Sequence, residues 1–135
     1  MKNYDLQGID LNVPASTAVA FIADPAMLPQ WTNAFASVTP GRAVMRTPEG
    51  GVAIELDVEA SPEQGTVDWR MTFPDRKVAT AFSRVVALGQ DRCVFSFVLT
   101  PPPVPLEQVE GTLEAQSRTL TEELHRLKAI LEQHG

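Results

Sequence analysis

The stretch that decides the fold is residues 105–134, PLEQVEGTLEAQSRTLTEELHRLKAILEQH. Its apolar residues recur at alternating steps of three and four with one step skipped, and they are Leu106, Val109, Leu113, Leu120, Leu124, Leu127 and Leu131. At about 100° per residue they share an arc of roughly 60°, which predicts one long helix with a narrow apolar seam. Such a seam needs a sheet to cover it. The skipped step holds Gln116 and Ser117, where the seam either meets something other than dry core or tolerates a polar edge.

The chain before this helix predicts short strands and two small helices. Residues 4–13 alternate weakly and predict an edge strand, while residues 15–23 and 25–31 predict the helices, with Asp24 as the cap of the second. From Phe35 to Thr100, apolar and polar residues alternate between turns that contain proline or glycine. This pattern is typical of half-buried antiparallel strands. We therefore predict an α+β fold in which a curved antiparallel sheet of about six or seven strands wraps around the long C-terminal helix.

One pair of strands permits a prediction of register. If the strand that contains Leu56 pairs with the next strand across the turn at Pro62, Leu56 lies opposite Trp69 on the inner face. The same register places Asp57 opposite Asp68, which is unfavourable because like charges face each other. Either the strands twist these two carboxylates apart, or the register differs.

The composition limits the classes of function. With 135 residues, we predict a single domain over residues 1–135 with its own core. The net charge of −6 repels phosphate backbones, which argues against nucleic acid as a partner. No apolar run reaches the roughly 18 residues of a membrane span, and residues 1–10 lack the apolar core of a secretion signal. The lone Cys93 cannot form an internal disulfide, which fits a reducing cytoplasm, so the predicted location is cytoplasmic.

The residue types that hold metals and activate nucleophiles are scarce. The sequence has two histidines, His125 and His134, and one cysteine, whereas zinc needs three or four converging ligands. Cys93 falls on a strand face among phenylalanines, where a thiol is usually inert core. Gly50-Gly51 is predicted to be a hairpin turn, because no helix follows it as a phosphate-binding loop requires. We predict no metal site, no cofactor and no Cys-His nucleophile.

A further stretch carries a family resemblance, and it is residues 9–32, IDLNVPASTAVAFIADPAMLPQWT. A strand runs into a proline, then come a helix with an aromatic–aliphatic pair, an Asp-Pro step and a Leu-Pro-x-Trp turn. Together with the order of elements, this resembles the START-like superfamily (SRPBCC or helix-grip proteins), in its polyketide cyclase/dehydrase-like branch. The resemblance implies an apolar cavity between sheet and helix that binds lipids, sterols, polyketides or other small hydrophobic molecules. No catalytic motif of the family is matched residue by residue, so no catalytic residue is assigned.

Arg84 shares strand parity with an apolar set, which is Val78, Phe82, Val86 and Leu88. If that parity holds, its guanidinium points between sheet and helix, where it must pair with an acid, with carbonyls or with an anionic ligand. There it would anchor the polar end of an apolar ligand, and Thr80, of the same parity, would add a hydroxyl. The alternative is that a bulge turns Arg84 outward, or that it extends to the cavity mouth and pairs with a surface acid.

A broad aromatic and thioether lining accompanies Arg84. Each member alone is more typical of core packing, but together they suggest a pocket with few polar groups. Trp31 would guard the mouth of this pocket or fill it as a plug, and Gln116 and Ser117 would add polar groups from the helix or lie at a half-wet flank. The predicted ligand-binding residues are Trp31, Trp69, Met71, Thr80, Phe82, Arg84, Phe95, Phe97, Val109, Leu113, Gln116, Ser117 and Leu120.

Three hypotheses of function follow. The first is binding or carriage of a small hydrophobic ligand, such as a lipid, a polyketide or an aromatic compound, without catalysis. The second is a cyclase/dehydratase-type enzyme in which Arg84 polarises a carbonyl. The third is a protein-interaction module with a packed interior, in which an exposed apolar patch binds a partner. The oligomeric state stays open between a monomer and a homodimer.

Overall fold

The structure, a computed structural model, describes residues 4–47, 50–100 and 112–134. Along these residues the strands are β1 (Asp5–Leu11), β2 (Phe35–Thr39), β3 (Arg42–Thr47), β4 (Gly50–Ser61), β5 (Thr66–Thr72), β6 (Val78–Ala87) and β7 (Cys93–Leu99). The helices are α1 (Ala15–Ile22), α2 (Leu28–Trp31), which follows a 3₁₀ turn at Pro25–Met27, and α3 (Thr112–His134).

The strands form one antiparallel sheet in the order β1-β7-β6-β5-β4-β3-β2. Strands β2 to β6 each pair with the next strand along the chain, whereas β1 pairs with β7. The long helix α3 contacts β1 and α2. The predicted antiparallel sheet, the long C-terminal helix and the two short helices after the first strand are therefore confirmed.

The apolar seam of α3 is buried as predicted. Leu120, Leu124, Leu127 and Leu131 are each at most 4% exposed, which supports the helical period read from the sequence. The first part of the predicted helix, from Pro105 through Leu106 and Val109, lies outside the described residues.

The two short helices close one end of the interior. They bury a set of apolar side chains, which is Ala18, Val19, Ile22, Leu28 and Trp31. The turn between them begins as predicted, because Asp24 Oδ1 accepts a hydrogen bond from the backbone N–H of Ala26 at 3.0 Å. Helices this short are stable only through such packing.

The predicted register between β4 and β5 is wrong by two residues. Leu56 lies opposite Met71 rather than Trp69, and Asp57 lies opposite Arg70. A shift by two keeps every side chain on its predicted face, because strand faces alternate with a period of two. It also places Asp57 opposite Arg70, a pairing of opposite charges, while Asp68 now lies opposite Glu59, so one like-charge pair remains.

The turn between β4 and β5 explains the shift. Strand β4 continues to Ser61, which pairs with Thr66, so the connection is shorter than predicted. Gly65 has a φ of 75°, and a Cβ there would lie 2.1 Å from the carbonyl oxygen of Val85. The carbonyl of Gly65 accepts a hydrogen bond from Val85 N–H at 2.7 Å, so only glycine fits this contact with β6.

The predicted orientation of β6 is also wrong. Its larger apolar residues and the neighbouring Leu88 lie outside and are 44–50% exposed, namely Val78, Phe82, Val86 and Leu88. Arg84 is exposed on the same outer face. The inward residues are Ala79, Ala81, Ser83 and Val85, because Ala81 lies opposite the buried Trp69. Size misled the interpretation, since both faces of β6 carry apolar residues and the smaller ones face inward.

Candidate functional site

A cavity of about 440 Å³ lies between the inner face of the sheet and α3. Its apolar wall combines residues of β5, β6, β7 and α3 with others of α2, β2 and β3, and the main members are Leu28, Trp31, Phe35, Met45, Trp69, Met71, Phe73, Ala79, Ala81, Phe97, Leu99 and Leu120. Cavities of this size and polarity are typical of small-molecule sites.

The cavity exists because β6 turns small side chains inward. Ala81 lies opposite Trp69, and Ala79 lies opposite Met71, so each large residue of β5 faces a methyl group on the neighbouring strand. Farther along β6, Val85 lies opposite Phe95, and both are buried at 4% or less. The inward side chains of β6 thus become larger toward the end of the strand where the interior is filled.

Aromatic rings form the back of the cavity. The ring centroids of Trp31 and Trp69 are 6.3 Å apart, and those of Trp69 and Phe97 are 5.7 Å apart. Phe95 stands edge-on to Trp31 at 6.2 Å and lies behind it in the core, at 0% exposure. The indole N–H groups of Trp31 and Trp69 are buried and have no hydrogen-bond partner among the described residues. Ring packing therefore holds this wall.

Asn33 connects the polar rim of the cavity. Its backbone N–H donates to Glu123 Oε2 at 2.6 Å, and its backbone carbonyl accepts from Arg46 Nη1 at 2.9 Å. Its side-chain Oδ1 accepts from Arg126 Nη1 at 2.8 Å. One residue thus links the segment after α2 to β3 and to α3 beside the cavity.

Glu123 and Arg46 are the charged residues of the cavity wall among those that the structure describes. Arg46 is exposed, whereas Glu123 is partly buried. Burial raises the pKa of the Glu123 carboxyl, although the hydrogen bond from Asn33 and the charge of Arg126 act in the opposite direction. None of the ion pairs between described residues includes Glu123.

The structure brings together only part of the predicted ligand-binding set. On the cavity wall lie Trp31, Trp69, Met71, Phe97, Gln116 and Leu120. Thr80 borders the cavity, although its strand position, opposite the exposed Arg70, is on the outer face of β6. Phe95 is core behind the wall, and Leu113 is partly buried but does not line the cavity. Phe82 and Arg84 lie on the outer face of the sheet, so their predicted inward orientation is wrong. Val109 lies outside the described residues.

Ser117 contacts the edge of the sheet instead of the cavity. Its Oγ donates to Asp5 Oδ2, and Gln7 Nε2 donates to the Ser117 carbonyl at 2.8 Å. Thr121 Oγ1 donates to Gln7 Oε1 at 2.9 Å. The polar inward residues of β1 thus bind the polar flank of α3, which gives Ser117 a structural role.

The sequence interpretation missed Glu123, Asn33, Ala79 and Ala81. Glu123 had a detectable signal, because it follows Gln116 by seven residues and therefore lies on the same face of the helix. The two alanines had a weaker one, since they alternate with larger residues along the strand. Asn33 had none, because its importance comes from three partners that are distant in sequence.

Other kinds of site find no support among the described residues. These residues contain no group of His, Cys, Asp and Glu that could hold a metal ion. Burial raises the pKa of the Cys93 thiol, and Cys93 is 0% exposed. None of the helices in the described part of the chain is long and apolar enough to cross a membrane.

Comparisons with known proteins agree with this architecture. A family model described as "Polyketide cyclase / dehydrase and lipid transport" matches residues 7–132. The search of curated proteins finds no match. The Zhui aromatase/cyclase from Streptomyces sp. R1128 is similar in structure, with a TM-score of 0.72 and 13% identity over 96% of this chain and 93% of that one. A START superfamily protein from Mycobacterium smegmatis has a TM-score of 0.69 and 14% identity over 99% and 100% of the two chains.

Proposed function

This chain belongs to the polyketide cyclase/dehydrase and lipid transport family, and from that premise we propose that it binds a small hydrophobic molecule between its sheet and α3. The observation that carries the proposal is the cavity of about 440 Å³ with an aromatic and aliphatic wall. Its volume lies within the range of sites for small molecules. Ligand burial against Trp69 and Phe97 would be the main source of affinity.

The two other hypotheses have weaker support. The enzyme hypothesis named Arg84 as the group that polarises a carbonyl, and Arg84 is exposed on the outer face of the sheet. An enzyme of this family would have to use other polar groups, of which Glu123 and Gln116 line the cavity. A module with a packed interior does not fit a cavity of this volume.

The proposal is tested with N-phenyl-1-naphthylamine, a neutral aromatic probe whose fluorescence rises in apolar surroundings. We expect saturable binding to the protein and at least about tenfold weaker binding to Ala81→Leu, because the added side chain fills the cavity. Ala87→Leu is the matched control, since it makes the same change at an exposed position of the same strand. We expect this variant to bind like the wild type.

Two outcomes would overturn the proposal. One is the absence of saturable binding to the wild type. The other is a folded Ala81→Leu variant that binds the probe as tightly as the wild type, because the probe would then occupy another surface.

A further inference from the structure

Two glutamates of α3 make the same backbone contact in different surroundings. Glu123 Oε2 accepts a hydrogen bond from Asn33 N–H at 2.6 Å, and Glu132 Oε2 accepts one from Asn12 N–H at 3.0 Å. Each contact fastens α3 to a segment that joins a strand and a short helix. The two side chains therefore have the same type of structural anchor.

Their electrostatic surroundings differ. Lys128 Nζ lies 2.7 Å from Glu132 Oε2, so a cation compensates the carboxylate, and the pKa of Glu132 is lowered, mainly by the hydrogen bond from Lys128. The charge of Arg126 acts on Glu123, but Glu123 is in no ion pair with a described residue. Glu132 does not line the cavity. A carboxyl that served only as an anchor would gain from a cation, as Glu132 does.

The carboxyl of Glu123 has hydrogen-bonding capacity left. Oε2 receives the Asn33 N–H, and no hydrogen bond from a described residue reaches Oε1. Arg46 and Arg126 approach Asn33 but bond to its oxygens, so they hold the residue that positions the carboxyl. The result is an oriented acceptor on a wall that is otherwise mainly apolar.

We infer that Glu123 is a specificity-determining residue, which accepts a hydrogen bond from a hydroxyl group of the bound molecule. This inference rests on the proposed function. An alcohol or phenol would bring a donor to the carboxylate and keep its apolar body against the aromatic wall. A hydrocarbon would leave the acceptor unsatisfied, and a ligand carboxylate would meet a like charge.

Three ligands that share one ring system test the inference by displacing N-phenyl-1-naphthylamine at neutral pH. They are 2-naphthol, 2-methylnaphthalene and 2-naphthoate. We expect 2-naphthol to displace the probe at concentrations at least about tenfold lower than either of the others. The inference would be overturned if 2-naphthoate displaced the probe from the wild type at the same concentration as 2-naphthol or a lower one. Arg46 would then be the group that selects the ligand.

The variant Glu123→Gln separates the effect of the carboxylate charge from that of the hydrogen bond to Asn33. Its amide oxygen can still accept the Asn33 N–H, so the anchor is kept while the negative charge is lost. We expect the preference for 2-naphthol over 2-naphthoate to fall about tenfold or more, while the probe itself still binds. Glu132→Gln makes the same change on the same helix away from the cavity and should leave the preference unchanged.

The results distinguish this inference from the proposed function. If Glu123→Gln binds the probe and keeps the wild-type preference, the inference is wrong and the cavity remains a binding site. If the wild type does not bind the probe, both are wrong. If the variant does not fold, the wild-type order of the three ligands decides the question alone.

Discussion

The space between sheet and helix is filled at one end of α3 and open at the other. Toward its C-terminus, Leu124, Leu127 and Leu131 are at most 4% exposed and belong to the same buried core as Leu11. Lys128 Nζ donates a hydrogen bond to the Asp10 carbonyl at 2.6 Å beside them. Toward its N-terminus, the wall of the cavity includes Ala115, Gln116 and Thr119. The same helix and the same sheet thus form both a core and a cavity.

Side-chain size on β6 differs between the two ends. At the filled end, the inward residue of β6 is Val85, and Phe95 lies opposite it. At the open end, the inward residues are Ala79 and Ala81. Helix α1 also packs against β6 and β7 without lining the cavity. Large inward side chains and α1 thus fill one part of the interior, and small residues of β6 leave the other part open.

The largest effect is expected from truncation at the filled end. Leu127→Ala should lower the free energy of unfolding by about 3 kcal/mol, because it removes a fully buried side chain and leaves a new void. Leu120→Ala should cost less, since Leu120 already borders the cavity. Urea denaturation of both variants measures the difference. An equal or larger loss for Leu120 would contradict the contrast between the two ends.

Enlarging alanines should have opposite effects at the two ends. Ala18→Val in α1 should destabilise the protein by about 1–3 kcal/mol, because Ala18 is 0% exposed in a filled core. Ala79→Val should be neutral or stabilise by about 0.5–2 kcal/mol, because it fills part of the cavity and places a β-branched residue in a strand. Thermal unfolding of the two variants tests this. Destabilisation of similar size at both positions would show that the cavity end is as tightly packed.

A smaller effect concerns pH. Because burial raises the pKa of Glu123, the folded protein holds this proton more tightly than the unfolded chain does. The contribution of Glu123 to stability therefore falls as pH rises from the ordinary value, about 4.3, through the raised value. Glu123→Gln should lack this fall, while Arg46, Arg126 and Glu122 remain in both proteins.

Urea denaturation between about pH 4 and about pH 7 measures this difference. We expect the free energy of unfolding of the wild type, relative to Glu123→Gln, to decrease with rising pH. For Glu132→Gln the measurement is extended down to about pH 3, because the pKa of Glu132 is lowered. There the free energy of unfolding of the wild type, relative to this variant, should decrease as pH falls below the ordinary value. Parallel curves for the wild type and Glu123→Gln would contradict the burial of this carboxyl.

The smallest effect is expected for a substitution on the outer face of the sheet. Arg84 is exposed and makes no ion pair with a described residue, so Arg84→Ala should change stability by less than about 0.5 kcal/mol. Binding of N-phenyl-1-naphthylamine should also stay unchanged. A clear loss of binding in this variant would restore the sequence-based hypothesis that Arg84 faces the ligand.

The sequence predicted the fold well because periodicity reports which side of an element is buried. The seam of Leu120, Leu124, Leu127 and Leu131 needs no partner to be recognised, and it indicated the long helix. The alternation around Trp69 and Met71 likewise indicated the inner face of β5. Pairing was harder, because a shift by two residues keeps the same faces inward and only the turn at Gly65 fixes the choice.

The site was predicted less well because it depends on contacts between distant residues. On β6, apolar side chains occupy both faces, and only the pairing of Ala81 with Trp69 shows which face is inside. Gln116 and Ser117 are adjacent on the helix, yet one lines the cavity and the other binds Asp5. The sequence pattern of α3 cannot distinguish them, since the partner of Ser117 is on the first strand.

The pairing of β1 with β7 has a consequence for how the chain acquires its structure during synthesis. Gln7 bonds to Ser117, which lies 110 positions later in the chain, and β7 is synthesised last among the strands of residues 4–47 and 50–100. At a ribosomal rate of about 5–20 residues per second, β1 waits several seconds for the neighbours that complete it. Contacts of such long range slow folding. Until β1 can pair with β7 and contact α3, the hairpins formed by consecutive strands are the contacts that keep the nascent chain compact.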